Sequence, residues 1–109
     1  HFSPYVLIDI LHPELITIED NVTISSNTMI FAHINPSANE FLKNNGYPRT
    51  IKPVLIKKGA LISVGCIIIA GITIGENSIV GAGSVVAQDI PDYCIAVGNP
   101  ARVIKKIDH

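Results

Sequence analysis

The chain has 109 residues, of which 48% are hydrophobic and 16% are charged, and its net charge is −1 at pH 7. This share of apolar residues predicts one folded domain and excludes a disordered chain. The near-neutral charge argues against nucleic-acid binding. No apolar run approaches the roughly 20 residues that a membrane-spanning helix needs, so we expect a soluble protein without a membrane span.

Aliphatic residues recur at every sixth position of this sequence. Helical cores repeat near 3.6 residues and half-buried strands near 2, so an interval of six fits neither pattern. It predicts an all-β solenoid in which one short strand per hexad stacks on its equivalents in the neighbouring coils. The positions that keep the interval are Ile18, Ile24 and Ile30, then Ile56, Ile62, Ile68, Ile74, Val80 and Val86.

Small residues often follow the aliphatic positions by four residues. They suit a narrow interior near a corner, and glycines between them allow the sharp turns that a solenoid needs. Cys66 is one of them, and we expect a buried thiol there because Cys66 and Cys94 have the spacing of neither a metal site nor a disulfide framework. The other small residues are Ala60, Ser78 and Ser84, with Ile72 and Ile90 as larger exceptions.

The six-residue interval is interrupted once. Residues 1–34 are predicted to form the first coils, and from 35 to 53 the interval is absent, which predicts an extruded loop. Loops of this length inside a compact repeat are commonly functional. One interpretation is that Phe41, Leu42, Tyr47 and Arg49 pack the loop over a neighbouring copy and shape a pocket. The other is that Phe41 and Leu42 only anchor the loop to its own coil, and the sequence does not decide between the two.

Both ends of the chain carry predictions. Residues 99–109 are predicted to form a short cap, in which Val103, Ile104 and Ile107 close the open end of the core and the charges face solvent. The chain starts at His1 without a Met and close to the first repeat, so we expect upstream coils in a longer protein. No secretory signal is recognisable, which makes the cytoplasm the expected location.

Three segments of the sequence resemble the C-terminal half of hexapeptide-repeat O-acetyltransferases that act on maltose, galactosides and capsular sugars. With the earlier coil, the resemblance covers nearly the whole chain. It implies a left-handed parallel β-helix, a homotrimer, acetyl-CoA as acyl donor and a sugar or glycan hydroxyl as acceptor. The segments are Ile74-Gly75-Glu76-Asn77, Val80-Gly81-Ala82-Gly83-Ser84-Val85-Val86 and Gly98-Asn99-Pro100-Ala101-Arg102-Val103-Ile104.

His33 is the predicted catalytic residue. It lies at the end of a hexad just before the loop, where a histidine of the resembling enzymes acts as general base. An acceptor hydroxyl is too weakly acidic to attack a thioester unaided, whereas an imidazole, with an ordinary pKa near ~6.5, can take its proton at neutral pH. No nucleophilic Ser or Cys arrangement is recognisable, so direct attack is expected, with backbone N–H groups holding the oxyanion. Ile34 departs from the Pro or Asp of many relatives.

Asp9 is the predicted partner of this histidine, because the stretch 6–10 resembles the family segment that supplies an acidic active-site residue. Four interpretations of Asp9 stay open: it orients His33, contacts the acceptor, acts across the trimer interface or bonds only within its own turn. His1 and His12 are interpreted as surface or interface residues.

The resemblance also implies where acetyl-CoA binds. Many relatives have Thr-Lys where this chain has Ala87-Gln88, so one cation and one hydroxyl are missing from that position. Arg102 and Lys105 remain as cations for phosphate groups, and the other interpretation of them is a solvated tail. The matching positions are Ala82, Ala87, Gln88, Arg102 and Lys105.

Two other functions are weighed against acyl transfer. One is a noncatalytic trimeric β-helix scaffold, which the departures at Ile34 and at Ala87-Gln88 favour. The other is a metal enzyme similar to the γ-class carbonic anhydrases, which bind zinc through three histidines across a subunit interface. The close histidine pair of that class is missing from this sequence, so no metal is expected.

Overall fold

The computed structural model describes residues 1–34 and 38–109, which form a parallel β-helix with three faces. Face I contains β3 Thr23–Ile24, β8 Leu61–Ile62, β11 Ile79–Val80, β13 Cys94–Gly98 and β14 Ala101–Lys106. Face II contains β1 Leu7–Ile8, β4 Met29–Ile30, β9 Ile67–Ile68 and β12 Val85–Val86. Face III contains β2 Ile16–Ile18, β7 Val54–Ile56 and β10 Thr73–Ile74.

Three shorter elements lie outside the faces: a 3-10 helix Pro13–Leu15, the helix α1 Glu40–Asn44 and the antiparallel pair β5 His33–Ile34 with β6 Thr50–Ile51. Within the described ranges, no helix is long and apolar enough to cross a membrane.

The strand register follows the hexads that the sequence predicted. Ile56 pairs in parallel with Ile74, and Ile62 pairs with Val80, so one full coil takes 18 residues or three hexads. Each strand lies on its equivalent in the next coil, and the backbone N–H and C=O groups bond between coils instead of within them. The prediction of a solenoid with one short strand per hexad is therefore confirmed.

The interior is built from stacked aliphatic side chains. Ile24, Ile62 and Val80 form one fully buried row, each at 0% exposure. Burial of an Ile or Val side chain stabilises the fold by about 1.5–3 kcal/mol. The four small residues that the sequence placed inside are also fully buried, and the larger exceptions Ile72 and Ile90 are buried at 5% and 3% exposure.

The buried hydroxyls of the core have hydrogen-bond partners in neighbouring turns. Ser78 Oγ donates to the carbonyl of Pro91 and accepts the N–H of Cys94. Ser84 Oγ accepts the N–H of Gly98 in the same way. Because a buried polar group costs stability unless it is paired, these serines serve both as small fillers and as links between coils.

Gly75 provides a test of how closely the coils approach. It donates its N–H to Ile90, and a Cβ at this position would collide with the backbone of Pro91 and Asp92. Backbone cannot rotate away as a side chain can, so Gly75→Ala is expected to lower the free energy of unfolding by about 1–3 kcal/mol. Urea unfolding measures this, with Asp108→Ala at an exposed position near the C-terminus as the control. A stability equal to that of the control would contradict the close approach.

Two insertions leave the β-helix at one corner. Ile8 pairs with Ile30 and Ile18 with Ile56, separations of 22 and 38 residues against 18 for the uninterrupted coil from Ile56 to Ile74. The additional residues follow β1 in the first case and β4 in the second. Since these strands are neighbours in face II, both insertions emerge side by side. We call this corner the site corner.

The second insertion corresponds to the predicted loop at 35–53, with more regular structure than a loop. It contains α1 and starts and ends in the antiparallel pair β5 and β6. Residues 35–37 of the predicted loop lie outside the described residues. Phe41 is 68% exposed and Tyr47 is 67% exposed, so neither anchors the insertion to its own coil, whereas Leu42 is half-buried.

The C-terminal segment differs from the predicted cap. β14 pairs antiparallel with β13 and extends face I as its edge strand. Val103 and Ile104 are therefore 45% and 63% exposed instead of closing the core, whereas Ala101 is buried and Ile107 is half-buried.

Candidate active site

Asp9 is the most constrained polar residue at the site corner. It directly follows β1, and its side chain is fully buried. Oδ1 accepts the backbone N–H groups of Leu11 and His12 at 2.9 and 3.0 Å, and Oδ2 accepts that of Ala32 at 2.9 Å. Oδ2 also lies 2.5 Å from Nδ1 of His33. The Asp9 carboxylate therefore bonds to Leu11 and His12 of the first insertion, and to Ala32 and His33 where the second insertion starts.

The charge state of Asp9 follows from these contacts. Burial alone raises the pKa of a carboxyl group, but the hydrogen bonds from His33 and from three backbone N–H groups outweigh burial and hold the pKa of Asp9 well below its ordinary value. The group is thus a carboxylate at neutral pH and can only accept. Nδ1 of His33 must then carry the proton, which leaves the lone pair of the neutral ring on Nε2.

His33 is positioned by the second insertion. It opens β5, where it pairs with Ile51 of β6, and its side chain is 12% exposed. The pairing fixes the backbone while Asp9 fixes the ring. The structure therefore places Asp9 against His33 of its own chain, which was one of the interpretations that the sequence left open.

A cavity of about 300 Å³ opens between the two insertions beside this pair. Its walls are mostly apolar, and the histidine and the carboxylate are the polar side chains among them. Such a pocket excludes water from one side of an imidazole and leaves room for a substrate group. The lining residues are Leu7, Asp9, Ile10, Leu11, Phe31 and His33.

His12 lies beside His33 although the sequence indicated a surface or interface residue. The two rings meet edge to face, with centroids 5.5 Å apart. Nη2 of Arg49 lies 3.0 Å from Nε2 of His12. A guanidinium can only donate, so Nε2 accepts and the proton sits on Nδ1, which is 3.6 Å from Glu14. This bond joins the first insertion to the end of the second.

His1 takes no part in the site corner. Its backbone nitrogen lies 2.6 Å from the carbonyl oxygen of Val22, and its own carbonyl accepts the N–H of Ile24. These bonds place it at the start of the coil next to face I.

The predicted donor residues divide into two groups on either side of face II, and none of the five is buried. Ala87 and Gln88 follow β12 at the site corner, two coils further along than His33. Ala82 lies at the preceding corner, between β11 and β12. The cations lie next to that corner, on the edge strand β14.

A bulge puts the two predicted phosphate-binding cations on the same side of β14. Residues three apart on a regular strand point to opposite faces. Arg102 pairs with Val97 and Lys105 with Ile95, and the register shifts between these pairs, so both cations project on the outer side of face I. Within the part of the chain that the structure describes, neither of them forms an ion pair.

Lys52 also lies at the site corner, although no pattern in the sequence indicated it. It follows β6, donates its N–H to the carbonyl of Ala32 at 2.9 Å, and its aliphatic chain lies over Gly71. It therefore lies at the site corner between the coil that carries His33 and the coil that carries Gln88. No sequence signal could reveal it, because its place depends on how the second insertion returns to the coil.

The metal alternative has no support in the described ranges. No group of three His, Cys, Asp or Glu side chains in residues 1–34 and 38–109 is placed to hold a metal ion. His12 and His33 do form a close pair, but Arg49 and Asp9 already bond to them.

Comparison with known proteins gives consistent matches. The family model described as bacterial transferase hexapeptide (six repeats) matches residues 53–88. The galactoside O-acetyltransferase of Escherichia coli K12 is 38% identical over an alignment of 97 residues that covers 85% of this chain and 45% of the relative. The dTDP-3-amino-3,6-dideoxy-alpha-D-galactopyranose 3-N-acetyltransferase of Aneurinibacillus thermoaerophilus is 48% identical over 56 residues, 51% of this chain and 29% of the relative.

A solved structure matches over the whole fold. The hexapeptide-repeat acetyltransferase of Vibrio cholerae O1 biovar eltor in complex with acetyl-CoA superposes with a TM-score of 0.81 at 28% identity, covering 99% of this chain and 60% of that chain. The chain thus spans less than half the length of the two curated relatives. Hexads, stacked coils and these matches agree: the fold is the left-handed parallel β-helix, and residues 53–88 match the bacterial transferase hexapeptide repeat.

Proposed function

We propose that this chain transfers an acetyl group from acetyl-CoA to a hydroxyl group of a sugar or glycan precursor. The observation that carries the proposal is the buried Asp9 carboxylate bonded to Nδ1 of His33 beside an apolar cavity. The names of the two curated relatives support a sugar acceptor, and the complex with acetyl-CoA supports the donor. The cytoplasm remains the expected location.

The mechanism uses His33 as general base. Nε2 takes the proton of the acceptor hydroxyl while the hydroxyl oxygen attacks the thioester carbonyl. The tetrahedral intermediate then collapses, the C–S bond breaks, and the proton passes from the imidazolium to the sulfur of CoA. Asp9 stabilises the imidazolium and holds the ring in the tautomer that can accept.

The acceptor atom is proposed to be oxygen. One of the relatives acetylates oxygen and the other nitrogen, according to their names. The O-acetyltransferase aligns with 85% of this chain and the N-acetyltransferase with 51%, so the first is the better guide. An amine acceptor is the alternative, and it would use the same base.

The proposed assembly is a homotrimer with acetyl-CoA in the groove between copies. The outward side chains of face II are all apolar, and Leu7 and Met29 are 44% and 39% exposed. A flat apolar face of this kind favours burial against another copy. Ala82 and Ala87-Gln88 flank this face, and Arg102 and Lys105 are proposed to hold the phosphate groups of CoA.

Calorimetric titration with acetyl-CoA tests the donor site without a known acceptor. Arg102→Ala and Lys105→Ala are each expected to weaken binding about tenfold, because each removes a charge-assisted contact to phosphate. Lys106→Ala is the matched control, since Lys106 pairs with the inward residue Cys94 and points away from Lys105. We expect it to change the affinity by less than about twofold.

Two outcomes of this titration would contradict the proposal. Equal weakening by all three substitutions would show a general charge effect instead of a site. An absence of binding to the wild-type protein would favour the noncatalytic scaffold.

A further inference from the structure

Arg49 is held at the site corner in an unusual way. It comes from the end of the second insertion, its side chain is exposed, and its Nη2 donates to Nε2 of His12 at 3.0 Å. Arginine side chains at protein surfaces commonly lie against carboxylates, which cancel their charge. Here the acceptor is a neutral ring, so the guanidinium is fixed in place and keeps its full positive charge.

No carboxylate of the described residues balances the positive charge of Arg49. Across residues 1–34 and 38–109, Arg49 forms no ion pair. Asp9 is buried, and both of its oxygens already accept hydrogen bonds. Glu14 lies at the opposite nitrogen of the His12 ring, 3.6 Å from Nδ1. Among the described residues, only His12 accepts from the guanidinium, so its other N–H donors can bind an anion from outside this part of the chain.

We propose that Arg49 binds an anionic group of the acceptor, a phosphate or a carboxylate, and so selects acidic sugars. The inference rests on the proposed function for the identity of the ligand as the acceptor. The anion site itself follows from the contacts of Arg49 and His12 and is testable without turnover.

Two contacts connect the proposed anion site with the proposed base. Arg49 bonds to the His12 ring, and that ring contacts the ring of His33 with centroids 5.5 Å apart. An anion on Arg49 would thus be linked to the proposed base through the ring of His12.

Nitrogen NMR of the His12 ring tests the anion site directly. Protein labelled with ¹⁵N in its imidazoles is titrated with glucose, glucose 1-phosphate and glucuronate. An anion that binds Arg49 competes for or polarises its hydrogen bond to His12, so Nε2 of His12 is expected to shift in a saturable way with the acidic sugars and not with glucose. The phosphate and carboxylate arms show which anion is preferred.

Two substitutions of cations in the same insertion make the test specific. Arg49→Gln is expected to weaken binding of the preferred acidic sugar at least about tenfold, measured by calorimetry. Lys52→Gln removes a neighbouring cation that does not contact His12, and it is expected to change the affinity by less than about twofold. Equal losses in both variants, or no shift of His12 in the wild-type protein with either anion, would overturn the proposal.

His12 acts here as a positioning residue, and its variants test that role. His12→Gln retains an oxygen acceptor for Arg49 and is expected to retain anion affinity, whereas His12→Phe keeps an aromatic ring without an acceptor and loses it. Equal affinities in these two variants would remove His12 from the proposal. If anion binding persists while acetyl transfer is never detected, the proposed function fails and the anion site stands.

Discussion

Replacing His33 with alanine is expected to lower kcat for acetyl transfer by roughly 10²–10⁴-fold. The substitution removes the nitrogen that is proposed to take the acceptor proton, and Asp9 cannot replace it because that carboxylate is buried and already accepts several N–H groups. Release of the CoA thiol, followed by mass analysis of the product, measures the effect. Affinity for acetyl-CoA is expected to stay within about twofold, since the proposed phosphate contacts lie on another face.

His109→Ala is the matched control for this substitution. It removes the same side chain at the C-terminal end, where the ring stacks on Tyr93 with centroids 3.7 Å apart. We expect its kcat to equal that of the wild-type protein. Near-normal turnover by His33→Ala would exclude His33 as the base, and an equal loss in both variants would indicate a general effect on folding.

The substitution Asp9→Asn is expected to lower kcat by a similar factor through the tautomer of His33. The asparagine amide has one acceptor oxygen and one NH₂ group, whereas Asp9 accepts on both oxygens. If the oxygen faces Leu11 and His12, the NH₂ group meets the N–H of Ala32 and Nδ1 of His33. The ring must then move its proton to Nε2, where it can no longer act as a base. Turnover measured beside that of His33→Ala checks this.

Asp92→Asn controls for the loss of a carboxylate. Asp92 accepts the N–H of Glu76 at 2.7 Å and pairs with Lys57, far from the site corner along the chain. Its variant is expected to keep the wild-type kcat. Asp9→Asn with wild-type turnover would contradict the orienting role of the carboxylate.

Asp9→Asn should also change how the free energy of unfolding depends on pH. The pKa of Asp9 lies below its ordinary value in the folded protein, so its contribution is fully present above an unfolded-chain pKa of about 3.9 and declines as pH falls below that value. Urea unfolding is expected to show Asp9→Asn less stable by about 1–3 kcal/mol at pH 7, with a difference that shrinks under acid. A difference that stays constant as the pH is lowered from neutral through the carboxyl range would contradict the assignment.

The fold was predictable because its determinants are local and repeated. Every hexad brings an aliphatic residue to an equivalent place, so the stacking of these residues follows from spacing, whereas the three hexads per coil that pair Ile62 with Val80 are seen only in the structure. The small buried residues were predictable for the same reason. The edge position of β14 was not, because the pairing of Ala101–Lys106 with β13 depends on a reversal that has no hexad in it. Val103 and Ile104 are consequently exposed.

The proposed site combines two residues that the sequence indicated with contacts that it did not. His33 and Asp9 were identified, but the contact between them depends on two insertions of different length that emerge at one corner. The bond from Arg49 to His12 spans both insertions, and Lys52 reaches Gly71 only because β6 returns beside Ala32. Contacts between two irregular segments have no periodicity that a sequence can display.

The insertions at the site corner have a consequence for how such a chain can change. Ile18 pairs with Ile56 in the same way that Ile56 pairs with Ile74. The stack of buried side chains therefore continues after the insertion without a change of register. The cost of closing a flexible loop grows only with the logarithm of its length, about 0.6 kcal/mol for each doubling. The segment that contains Arg49 can therefore lengthen, shorten or exchange its residues at small thermodynamic cost, and selection on substrate preference can proceed almost independently of selection on folding.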